Sequence, residues 1–83
     1  MKQPAYSSLE AFLAHYRTLR SARDAGAEER RLLAAMEEVL KVLRADERLA
    51  LDSASSDPAT ARRRERAHLR LARELRARGM LRD

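Results

Sequence analysis

The sequence predicts an all-α fold, on three observations. Ala, Leu, Arg and Glu dominate the composition, and all are strong helix formers. Gly26, Gly79, Pro4 and Pro58 are the only glycines and prolines in 83 residues, so few turns are available. No segment alternates apolar and polar residues as a half-buried strand requires, and β-branched residues are scarce. The expected architecture is a single small helical domain over residues 1–83. It comprises an antiparallel helical hairpin (about 8–25 and 27–43), a bend or short helix at 45–51 and a long basic C-terminal helix at 58–78. Residues 1–6 read as a flexible arm and 52–57 as a loop.

The first helix begins at Ser7-Ser8-Leu9-Glu10, which reads as a capping box with Ser7 as the cap and Tyr6 just before it. Leu9, Phe12, Leu13, Tyr16 and Leu19 recur at three- and four-residue steps and form one face. Gly26 reads as the stop, because glycine enters the left-handed region without steric cost. Glu28 and Glu29 then fall in the first turn of the second helix, where its dipole favours acids. Leu32, Leu33, Met36, Val39, Leu40 and Leu43 form the cleanest apolar stripe in the chain, and Glu37 with Lys41 reads as an i,i+4 pair. The short link makes these two helices a hairpin.

The stretch 44–51 reads either as a continuation of the second helix or as a short third helix after a bend near Arg44. Leu49 lies six residues beyond Leu43, off the stripe, which favours the bend. Asp52 to Ser56 is a loop by composition. Asp57-Pro58 is a helix start, an acidic cap followed by a proline whose missing N–H costs nothing there. Along the last helix Ala67, Leu71 and Leu75 share a narrow apolar stripe, and Leu69 lies away from it. Its first two turns carry only alanines as apolar groups. Gly79 reads as the residue just past the helix end, with Met80 folding back on the final turn.

Charge separates the two parts of the chain. Residues 1–60 hold nine Lys/Arg and ten Asp/Glu, whereas residues 61–83 hold nine Arg against Glu65, Glu74 and Asp83. The whole net charge of +5 therefore originates at the C-terminal end. Arg and Ala both have GC-rich codons, so the total arginine count says little about binding. The clustering says more. Arg62, Arg66, Arg70 and Arg73 follow i, i+4, i+8, i+11 and share a face, with Arg63 and Arg64 adjoining. Arginine forks match phosphate oxygens in pairs. The sequence thus points to a small non-enzymatic binding protein, a DNA-associated or transcription-associated regulator that contacts phosphates through Arg62, Arg63, Arg64, Arg66, Arg70 and Arg73. Two other readings of the same face stand beside it: a plain solvated surface, and a dock for an acidic protein. The alternative function is a protein-interaction module or homodimeric adaptor joined through Leu32, Met36, Val39 and Leu43.

Other classes find less support. No RNP-like aromatic motif, GXXG loop or zinc-finger spacing is present. The 52–57 loop is longer than a helix-turn-helix turn and has no central glycine. There is no cysteine, and His15 and His68 have no metal-ligand spacing, so no metal or other cofactor is expected. No glycine-rich phosphate loop or paired acid/base site marks an enzyme. No apolar run approaches the roughly 20 residues of a membrane span. MKQPAYSS lacks the apolar core of a signal peptide, so a cytoplasmic location is expected.

Overall fold

Four α-helices are present in the computed structural model, which describes residues 5–82: α1 (Leu9–Ser21), α2 (Ala27–Leu40), α3 (Ala45–Leu51) and α4 (Pro58–Ala77). The fold is all-α. The described residues contain no strand, only an isolated parallel bridge between Tyr6 and Leu81.

Local chemistry sets each boundary. Ser8, not Ser7, caps α1: its backbone is extended and its Oγ accepts from the Ala11 amide at 3.1 Å. The helix ends at Ser21, four residues short of the expected end, because Ala22 leaves the helical region at ψ 129°. Gly26 therefore does not stop the first helix. It sits at φ −72°, ψ 175° as the N-cap of α2, and its N–H donates to Glu29 Oε1 at 3.2 Å. At the other end α2 closes at Leu40 rather than at 43. Lys41, Val42 and Leu43 bond three residues back at 3.3, 3.3 and 3.1 Å, a tightened last turn. Arg44 then swings to extended backbone at ψ 159°, which is the expected bend, and α3 follows as a separate helix.

The last helix obeys its signals. Asp57 Oδ2 accepts from the Thr60 amide at 3.2 Å and Pro58 opens the helix. Gly79 takes φ 70°, the one left-handed residue among those described. With it, Gly79 N–H donates to Arg76 C=O at 3.1 Å and Met80 N–H to Leu75 C=O at 2.8 Å, the two bonds of a Schellman end. Met80 is consequently turned into the core and fully buried.

That turn also secures the N-terminal arm. Tyr6 N–H donates to Met80 C=O and Arg82 N–H to Tyr6 C=O, both at 2.8 Å. The Tyr6 hydroxyl lies 2.7 Å from His15 Nδ1, and its ring stands edge-on to Phe12 at 5.4 Å. Tyr6 is thus anchored, although the sequence reads as a flexible arm; residues 1–4 of that arm lie outside the described residues.

One core joins all four helices. Phe12, Leu13, Tyr16 and Leu19 of α1 meet Met36, Val39 and Leu40 of α2, Leu51 of α3, and Ala67, Leu71 and Leu75 of α4. The most extensive helix contact is between α3 and α4. The alanines Ala59 and Ala61 in the first turns of α4 are only half-buried, and α3 lies over this region with Ala50 and Leu51 buried.

Candidate functional site

The inward row of α4 decides what its arginines can do. Ala67, Leu71 and Leu75 have no exposed surface. Arg64 precedes Ala67 by three residues and Leu71 by seven, so it starts on this same buried side. Its guanidinium turns toward the end of α3: Nε donates to Ala50 C=O at 3.3 Å, and Nη2 to Ser53 C=O at 2.8 Å and Ser55 C=O at 2.7 Å. Arg64 therefore ties down the α3–α4 loop, with three of its five N–H donors on backbone carbonyls. Arg64→Ala is expected to destabilise the fold by about 1–2 kcal/mol, a melting-point drop of several degrees. Thermal melts check this, and an unchanged melting point contradicts it.

Three arginines on the flank toward α3 meet its acidic first turn. Arg63 Nε lies 3.6 Å from Asp46, Arg66 Nε 3.9 Å from Glu47, and Arg70 Nε donates to the Glu47 carboxylate at 3.0 Å. Glu47 is the one buried charged side chain among the described residues, 1% exposed, and its Oε1 also accepts from the Arg44 amide at 3.0 Å. It both accepts the N-cap Arg44 N–H at the start of α3 and bridges to α4. The Arg44 N–H holds the Glu47 carboxyl below the usual carboxylate range, and Arg70 adds to this against the opposing effect of burial.

A lowered carboxyl pKa stabilises the fold above the unfolded-chain value of about 4.3. That contribution disappears as the pH falls through the lower folded value. Glu47→Gln is expected to melt lower than wild type at neutral pH, and to lose less stability than wild type between about pH 5 and pH 3. Equal losses in the two proteins over that range contradict the assignment.

The solvent side of α4 overlaps this flank. Arg62, Arg66, Arg70 and Arg73 are all exposed along one row, and Arg62 and Arg73 pair with no acid among the described residues. Leu69 stands in this row, 57% exposed. With Arg66, Arg70 and Arg73 it lines a shallow hollow of about 160 Å³. A second open hollow, about 260 Å³, lies between α3 and α4 and is lined by Asp46, Leu49, Ala50, Ser53, Thr60 and Arg63. Of the six arginines read from the sequence, Arg66, Arg70 and Arg73 line one hollow, Arg62 is exposed further along the same row, Arg63 lies beside Asp46, and Arg64 bonds to the α3–α4 loop.

The α2 stripe is placed differently. Met36 and Val39 have no exposed surface and belong to the chain's own core, while Leu32 and Leu43 pack half-buried against it. The exposed large leucines are instead Leu49, at 75%, and Leu69.

Sequence reasoning missed one polar cluster. Tyr16 Oη donates to Glu37 Oε1 at 2.6 Å, and Arg48 Nη2 donates to Tyr16 Oη at 2.8 Å and to Glu37 Oε2 at 3.4 Å. Arg20 covers the Tyr16 ring at 5.3 Å. Burial and the Glu37 bond raise the Tyr16 pKa. The cluster bolts α1, α2 and α3 together. Glu37 is therefore not the partner of Lys41, which pairs with Glu38 at 2.7 Å. Among the described residues, no three His, Cys, Asp or Glu side chains stand together as a metal site, and no helix is long and apolar enough to cross a membrane.

No protein-family model, curated protein or solved structure matches this chain.

Proposed function

We propose that the protein is a small non-enzymatic binding module that lays α4 against the phosphates of a nucleic-acid duplex, as a DNA-associated or transcription-associated regulator in the cytoplasm. The observation that carries this reading is the exposed row Arg62, Arg66, Arg70 and Arg73 on the side of α4 away from the core. Eleven residues of helix span about 16 Å, and duplex DNA carries one charge per roughly 1.7 Å of axis, so the row faces a dense line of phosphates. Such contacts position a protein on the duplex and read no bases.

The test is fluorescence anisotropy of a labelled generic duplex at about 50 mM salt, where a dissociation constant in the micromolar range or somewhat weaker is expected. No binding up to about 100 μM protein contradicts the reading.

A second reading, docking of an acidic protein, is favoured by Leu49 and Leu69. Both are exposed on or beside the basic surface, as apolar groups that a protein partner would cover. It predicts no duplex binding, together with a partner whose affinity falls when Leu49 or Leu69 becomes Ser. It also moves the expected protein contact from the α2 stripe to the α3–α4 side.

A further inference from the structure

We infer that the hollow lined by Arg66, Leu69, Arg70 and Arg73 is a discrete site for one phosphate group, which seats a single phosphate at a fixed place on α4. This rests on the phosphate-binding reading of α4 and adds to it a location and a mechanism.

Three features distinguish the hollow from the remainder of the basic row. First, three guanidiniums line one volume of about 160 Å³, whereas Arg62 stands apart from it. A tetrahedral anion presents oxygens in several directions and can take donors from three forks; a planar carboxylate is matched by one. Second, the site is braced from behind. Glu47 is 1% exposed, fixed by the Arg44 amide at 3.0 Å, and takes Arg70 Nε at 3.0 Å with Arg66 Nε at 3.9 Å. Arg70 thereby uses its Nε–H on the protein and keeps its four Nη hydrogens for a ligand. Holding that side chain before binding removes part of the ordering cost that a free surface arginine incurs. Third, Leu69 contributes an apolar wall, 57% exposed. It suits the sugar or other carbon portion of a phosphate ester, and it excludes water from one side of the ion pairs.

Charge fits as well. The three arginines and Glu47 leave an excess of two positive charges at the hollow, enough to neutralise a backbone diester or a terminal phosphate. The chemistry recognised is the phosphate itself, and its source is either a nucleic-acid backbone or a free phosphorylated molecule.

The test follows Arg Nε–H and Leu methyl NMR signals of the whole chain during titration with inorganic phosphate and, separately, dimethyl phosphate, at ionic strength held constant with NaCl. Saturable shifts confined to Arg66, Arg70, Arg73 and Leu69 are expected. Arg73→Gln removes a side chain with no acidic partner among the described residues, so the fold is retained, and it is expected to weaken phosphate binding by about fivefold or more. Arg30→Gln on α2 is expected to leave it unchanged. Shifts that grow without saturation across all arginines, or equal shifts with acetate, overturn the site. Dimethyl phosphate binding together with duplex binding assigns the site to a nucleic-acid backbone. Phosphate binding in the hollow without duplex binding upholds the site, overturns the nucleic-acid reading, and makes the ligand a free phosphorylated molecule. Duplex binding with a silent hollow does the reverse.

Discussion

Replacing Phe12 with alanine is expected to leave most of the chain unfolded at room temperature. Phe12 is fully buried, and Tyr6 stands edge-on to its ring at 5.4 Å. Losing a buried phenylalanine costs about 3–5 kcal/mol, while a domain near 80 residues draws only about 3–5 kcal/mol from its core. No disulfide compensates, since the chain has no cysteine. The ring of Tyr6, whose backbone bonds Met80 and Arg82, loses its packing partner in the same variant. Far-UV circular dichroism should show the helix signal largely gone. Leu69→Ala is the contrast, because that leucine is exposed, and it should melt within about 0.5 kcal/mol of wild type. A Phe12→Ala protein that melts cooperatively near wild type contradicts the core described here.

The second large effect is on binding. Arg62→Glu with Arg73→Glu reverses two arginines of the α4 row that have no acidic partner among the described residues. The fold should be untouched. Duplex affinity should fall by at least about 100-fold at low salt, since each charged phosphate contact is worth about 1.5 kcal/mol or more and repulsion replaces it. Arg64→Ala should do the opposite, weakening the fold and leaving the folded protein's affinity near wild type. The pair separates arginines that face solvent from one that faces the protein. Equal affinity losses in both variants contradict the separation.

Much of the fold was legible because helix signals are local. The Asp57-Pro58 start, the Gly79 turn with Met80 folded back, and the buried Ala67, Leu71 and Leu75 row follow from neighbours within four residues. Gly26 was misread because glycine fits both ends of a helix, and here it precedes α2. The anchoring of Tyr6 depends on residues some 75 positions away, which no local pattern encodes.

The candidate site was half legible. The i, i+4, i+8, i+11 spacing puts Arg62, Arg66, Arg70 and Arg73 in one row, and all four are exposed. Arg64 could have been set aside from sequence, since it shares the row of Ala67 and Leu71. The burial of Glu47 had a fainter signal, an acid at the third position of a helix whose start was ambiguous. Its bridge to Arg70 is a tertiary contact between two helices and needed the structure.

The most direct test of the account is the salt dependence of duplex binding. If four exposed arginines of α4 each neutralise a phosphate, the logarithm of the affinity should fall with the logarithm of salt concentration at a slope of roughly −4. The Arg62→Glu/Arg73→Glu variant, where binding remains measurable, should show a slope shallower by about 2. A wild-type slope no steeper than about −1, or no duplex binding even at about 50 mM salt, contradicts the claim that α4 is a phosphate-binding helix.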